Sequence, residues 1–130
     1  MAKKISRSRL IKQLDTIFSQ YVRLKNIDKQ GYTKCVTCGK KGHWKNGGMQ
    51  AGHFMSRKHY ATRWDINNVH VQCTACNMFR QGEQYKFSLY LGNELSESLY
   101  KKSRKIVKYS NNDLKSMISE YKELVKSIIF

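Results

Sequence analysis

The sequence predicts a small α+β protein: two short strands and a helix stapled by zinc, with further helices at both ends. Three observations predict it. The chain has four cysteines, and they form two C-x-x-C pairs, CVTC at Cys35/Cys38 and CTAC at Cys73/Cys76. Apolar residues recur at helical spacing near both termini. Between them lie short runs punctuated by glycine, MQAGHF and NVHVQC, which have the length and alternation of strands. One domain is expected at 130 residues. It divides into an N-terminal helix within 1–30, a zinc-bearing core over 31–92 and C-terminal helices over 93–130.

In chain order, the first helix is expected from Ser8 to Ile27. Leu10, Leu14, Ile17, Phe18, Tyr21 and Leu24 form its apolar stripe. Arg7, Arg9, Lys12, Arg23 and Lys25 lie off that stripe, as a solvated face or as phosphate contacts. From Gly31 to Cys76 the chain reads as turns and short strands. KCVTCGKKGH is a knuckle, KNGGMQ a glycine-rich loop, and MQAGHF and NVHVQC two antiparallel strands. A helix starting near Asn77 carries Phe79 and bends around Gly82. EQYKFSLYLG continues it and LGNE ends it. A third helix is expected over Glu94 to Tyr109. The last runs from Asn112 to the C-terminus, with Ser110 or Asn111 as N-cap. Its stripe of Leu114, Met117, Ile118, Tyr121, Leu124, Val125 and Ile128 reads as core or as a dimer face.

Zinc accepts four thiolates tetrahedrally, and a C-x-x-C turn delivers two of them from one knuckle. Two knuckles close the shell and leave no open position, so this zinc is structural. His43, next to the first knuckle, could replace a cysteine on the zinc. The rival reading, paired disulfides, belongs to oxidising compartments. The start, MAKKISRSRL, has basic residues but no apolar stretch of a secretory signal. A reducing compartment, the cytoplasm, is therefore expected. The chain carries 25 Lys+Arg against 9 Asp+Glu, a net charge of +16. Such an excess favours a polyanionic partner, because each neutralised phosphate releases condensed counterions. No stretch approaches the roughly 20 apolar residues of a membrane span.

His53, Asn68 and Asn77 form an ordered polar set, the first two between the cysteine pairs and the third directly after Cys76. His53 ends the first strand, Asn68 lies in the hairpin and Asn77 opens the helix. In order and spacing they resemble the HNH endonuclease motif on a ββα-metal core. More narrowly, the run from CVTCG through AGHFMSR and NVHVQCTACN to GEQY is similar to the phage NinG/Rap family of recombination endonucleases. YVRL before the first pair and LYLGNELSESL after the second agree with it. The resemblance implies a Mg²⁺- or Mn²⁺-dependent nuclease that cuts branched DNA such as Holliday junctions and D-loops. Symmetric cutting of a four-way junction implies two active sites, hence a homodimer.

The chemistry can be argued from residue types as well. Phosphodiester hydrolysis needs an activated water and a cation on the developing charge. His53, neutral near pH 7, suits the general base. Asn77 offers an amide oxygen to a hard divalent ion, and His53 is the alternative ligand. The resemblance assigns Asn68 to holding His53 or the hairpin in register. Many HNH proteins carry Asp directly before the first His, where this chain has Gly52. Asp65 and Glu83 are the nearest acidic replacements in sequence. Arg57 matches the family motif as a phosphate clamp. Lys58, Arg63 and Arg80 are expected on the DNA backbone; Trp44, Tyr60 and Trp64 read as stacking on an unpaired base, with packing around the zinc the alternative for at least one tryptophan. His59 and His70 read as ordinary. The rival is a non-catalytic zinc-ribbon DNA-binding or recombination accessory protein, which has no need of His53 or Asn77. A sequence-specific HNH nuclease is the other enzyme reading.

Overall fold

The structure, a computed structural model, describes residues 4–129. It is a mixed α+β arrangement of helices and two small antiparallel sheets. Helix α1, Arg7–Leu24, starts at Ser6, whose hydroxyl accepts from the Arg9 N–H at 3.3 Å. That satisfies one of the orphan donors at a helix start. Leu10, Leu14, Phe18 and Val22 face inward and are buried. They pack on the last helix, α5, Asn111–Ile129, through Leu114 and Ile118. The Phe18 and Tyr121 rings meet edge to face at 5.0 Å. Ser110 and Asp113 cap α5 reciprocally: the Ser110 hydroxyl accepts from the Asp113 N–H, and the Asp113 carboxylate from the Ser110 N–H. Phe130, the end of the expected helix, lies outside the described residues.

Strands β1, Tyr32–Lys34, and β2, Lys41–His43, pair antiparallel and present the first C-x-x-C knuckle at their turn. The two expected central strands are β3, Met49–His53, and β4, Val69–Cys73, antiparallel with His53 opposite Val69. Met49, Val69, Val71 and Cys73 join the core under α1. Gly52, His70 and Gln72 face the other way, where His70 meets the Phe87 and Tyr90 rings. Between β3 and β4 the chain forms a strap containing the short helix α2, Tyr60–Arg63.

After β4 the chain makes a π-helical turn, Ala75–Phe79, so Asn77 sits within the turn instead of opening a helix. Gln81, Gly82 and Glu83 then all adopt positive φ, at 53°, 81° and 48°. Two of these carry side chains, an arrangement that costs energy and persists only where neighbours hold it. Helix α3, Gln84–Leu91, follows, then α4, Asn93–Ser103. Helix α4 ends six residues short of Tyr109. Ile106 and Val107, β-branched, are poor helix formers. Tyr109 must also reach the Trp64 ring, 5.6 Å away, before Ser110 starts α5. Among the described residues no helix is long and apolar enough to cross a membrane.

Candidate functional site

Two centres adjoin the β3–β4 pair. At the C-terminal end of β4 the Sγ atoms of Cys35, Cys38, Cys73 and Cys76 all lie within 4.8 Å of one another. The 3.7 Å between Cys38 Sγ and Cys73 Sγ equals the edge of a tetrahedron with metal–sulfur bonds of about 2.3 Å. None of the four is in a disulfide. Burial opposes ionisation of Cys35, but the Thr37 hydroxyl and backbone N–H groups outweigh it and bring its thiol down to about 6. At Cys38 the Lys40 N–H favours the thiolate, yet burial and the three neighbouring sulfurs push the thiol up to about 12. Such a cluster ionises fully only around a cation. These four residues could hold a zinc ion. His43 is not among them: its Nδ1 accepts from the Lys45 N–H at 3.2 Å and its ring packs on Tyr32 and Trp44.

Along β3, from Gln50 to His53, opens a cleft of about 810 Å³. His53 and Asn77 both line it, with Asp15, Gln50, Arg57 and Arg104. The His53 Nε2 lies 2.9 Å from the Arg63 carbonyl. A carbonyl only accepts, so Nε2 carries the proton and Nδ1 keeps its lone pair. Burial lowers the His53 pKa below its ordinary value of 6.5. The Arg57 charge adds to that, while the Arg63 carbonyl works against it. The imidazole is therefore neutral at pH 7, and among the described residues its Nδ1 has no hydrogen-bond partner. Asn77 donates through Nδ2 to Gln50 Oε1 at 2.7 Å, which orients its own amide oxygen.

Asn68 lies outside the cleft and is 0% exposed. Its Oδ1 accepts from the Met55 N–H at 2.8 Å, and its Nδ2 donates to the Met55 and Thr62 carbonyls, each at 3.0 Å. It thereby ties down the strap that carries the Arg63 carbonyl. Gly52 has a steric reason. A Cβ there would stand 2.0 Å from Gln72 Oε1. Gln72 cannot retreat, because it is fully buried and its Nε2 donates to the Gly82 carbonyl at 2.8 Å and Thr37 Oγ1 at 3.1 Å. No acidic side chain fits before His53 without breaking that brace.

The acidic replacements expected from sequence are not in the cleft. Asp65 binds Lys102 at 2.6 Å and caps the Asn67 N–H. Glu83 pairs with Lys86 at 3.1 Å. The carboxylate that does line the cleft is Asp15, from α1, which sequence reading passed over; its signal was being the one acid on an otherwise basic helix. Its oxygens accept from Arg63 Nε at 3.1 Å, Arg63 Nη2 at 2.6 Å and Trp64 Nε1 at 2.9 Å.

That network revises two expectations. Arg63 directs its fork to Asp15 and the Arg57 carbonyl, leaving no bidentate face for a phosphate. Trp64, 5% exposed, is core and is not placed to stack on a base. Tyr60 leans on it, ring to ring at 5.7 Å. Trp44 is half-buried with Arg23 over its ring at 5.6 Å. Arg57 and Arg104 face the cleft, and Lys58 lies on the adjoining surface beside Arg104. Arg80 points its Nη1 at Cys76 Sγ, 4.0 Å away, on the cysteine side. His59 also lines the cleft, while His70 is held by the Asn67 carbonyl at 3.0 Å.

No curated protein and no solved structure matches the chain. The family model described as bacteriophage lambda NinG protein matches residues 1–129, and the chain belongs to that family.

Proposed function

We propose that this protein is a metal-dependent endonuclease that hydrolyses phosphodiesters in branched recombination intermediates, with His53 as its general base. The observation that carries this reading is the bond from His53 Nε2 to the Arg63 carbonyl. It leaves a neutral imidazole with Nδ1 free inside a cationic cleft. A water positioned by Nδ1 gives up its proton as its oxygen attacks phosphorus. The P–O3′ bond breaks, and the departing 3′-oxygen takes a proton from solvent. Arg57 and Arg104 bind the flanking phosphates. The zinc expected at the cysteines braces the π turn that carries Asn77, giving the ββα-metal core that the sequence resembles.

The cleft's donor set suits a weakly held hard ion. Asn77 offers an amide oxygen, while Gln50 Oε1 accepts from Asn77 Nδ2 and Asp15 is committed to Arg63 and Trp64. Mg²⁺ or Mn²⁺ held there, completed by phosphate oxygens and water, would supply charge stabilisation at the phosphate.

The test is cleavage of a four-way junction and of linear duplex with Mg²⁺, comparing wild type with His53→Ala. Loss of cleavage by roughly two or more orders of magnitude, with DNA binding retained, is expected for a general base. Wild type that binds but never nicks across several divalent ions would instead identify a non-catalytic accessory protein. Equal cutting of junction and duplex would remove the branched substrate. Light scattering on the junction complex checks the homodimer that paired cuts require.

A further inference from the structure

The π turn ends in an exposed apolar pair. Phe79 is 80% and Met78 60% exposed, on a segment whose preceding residues are buried or half-buried. A phenyl ring left in water forgoes about 2 kcal/mol that burial against a partner would supply. Three features place the pair. Met78 and its neighbour Asn77 line the cleft, so the apolar tip stands at the lip where the His53 chemistry would occur. The turn is rigidly mounted: Cys76, one of the four clustered cysteines, lies within it, and the strained residues after it are held by Cys76 O to the Gly82 N–H at 2.8 Å and by Gln72 Nε2 to the Gly82 carbonyl. The surroundings are cationic, with Arg80 next in sequence, Arg57 across the cleft, and a chain of net charge +16.

We propose that Phe79, supported by Met78, is a wedge that enters the base stack of bound DNA beside the scissile phosphate. An apolar side chain inserted between base steps must meet the energy of unstacking. That energy is smallest where stacking is already interrupted, as at a branch point. The wedge therefore selects branched or flexible DNA over continuous duplex, and it assigns the substrate preference to one residue. The stacking surface thus sits on the π turn, not at Trp64, which is buried. This rests on DNA being the substrate, but not on His53 being the base.

The test uses the full chain, zinc-loaded, in a His53→Ala background so that DNA stays intact. A four-way junction carrying 2-aminopurine at the branch point reports unstacking by its fluorescence. The parent is expected to raise the signal and to prefer junction over duplex. Phe79→Ala should abolish the rise and weaken junction binding roughly tenfold, the usual size of a lost base–aromatic stack. Duplex affinity should stay within about twofold, and Phe79→Trp should restore both signal and preference. Circular dichroism and zinc content matching the parent exclude misfolding. The wedge is overturned if Phe79→Ala keeps the fluorescence rise and the preference, or loses duplex and junction binding equally. It is also overturned if light scattering shows the substitution breaking a dimer, which would make the tip a protein contact. A parent that binds neither DNA sinks the wedge and the nuclease together. His53→Ala that still cleaves sinks only the base.

Discussion

Replacing Asn68 with alanine separates a structural role from a chemical one. Asn68 makes three hydrogen bonds to the backbone of residues 55 and 62 from a fully buried position. Alanine deletes all three and leaves the Met55 N–H and two carbonyls short of partners. At roughly 1 kcal/mol for each bond the loss comes to about 3 kcal/mol. Unfolding entropy of about 2.1 cal/mol/K per residue over 130 residues converts this to a fall in Tm of about 11 °C. Calorimetry at saturating zinc measures it. Asn68→Asp keeps the size and one acceptor but turns a carboxylate oxygen toward two carbonyls, and should fall at least as far. A melting temperature within about 3 °C of wild type, with cleavage abolished, would refute the reasoning, because residues at element surfaces typically change stability by no more than that. Asn68 would then have to touch the substrate.

Other outcomes follow from the same geometry. Gly52→Asp, which would supply the acid that many HNH proteins have, should lower Tm and not improve activity, since its Cβ would meet Gln72 Oε1 at 2.0 Å; thermal melts check this, and Gly52→Asp combined with Gln72→Ala should recover part of the loss. With His53 held below its ordinary 6.5 and acting unprotonated as the proposed base, cleavage should rise with pH along a limb centred below 6.5. Arg57→Gln removes a positive charge that lowers this value, so the limb should move up in pH; kcat/KM profiles read both. Chelating zinc, or Cys76→Ser, should loosen the π turn and expose β4, seen as faster amide exchange over residues 69–83. Mn²⁺ titrated against the protein alone should bind weakly, and tighter once a cleavage-resistant phosphorothioate junction is present; equal affinity would mean that an unrecognised carboxylate completes the site.

Much of this was legible in the sequence for local reasons. The C-x-x-C spacing carries its own geometry, so each pair of thiols converges locally, while the meeting of the two pairs, 35 residues apart, is made by the packing of the first knuckle on β4. Leu10, Leu14 and Phe18 repeat at helical spacing, as do Leu114 and Ile118, and two such stripes on one small chain have little to cover except each other. MQAGHF and NVHVQC alternate, and they became β3 and β4. Side chains with two possible partners were not legible. Arg63 reads as a phosphate contact until α1 brings Asp15 against it, 48 residues away in sequence. Trp64 reads equally as a stacking ring or a packed one until the same carboxylate takes its indole N–H and the ring is buried. Gly52 reads as a missing ligand until β4 places Gln72 over it. The tautomer of His53 depends on a carbonyl ten residues on, delivered by a strap that Asn68 holds. Periodicity and spacing act between near neighbours and so are written in the chain. Hydrogen-bond partners across elements depend on where packing stops, and only the tertiary structure decides that.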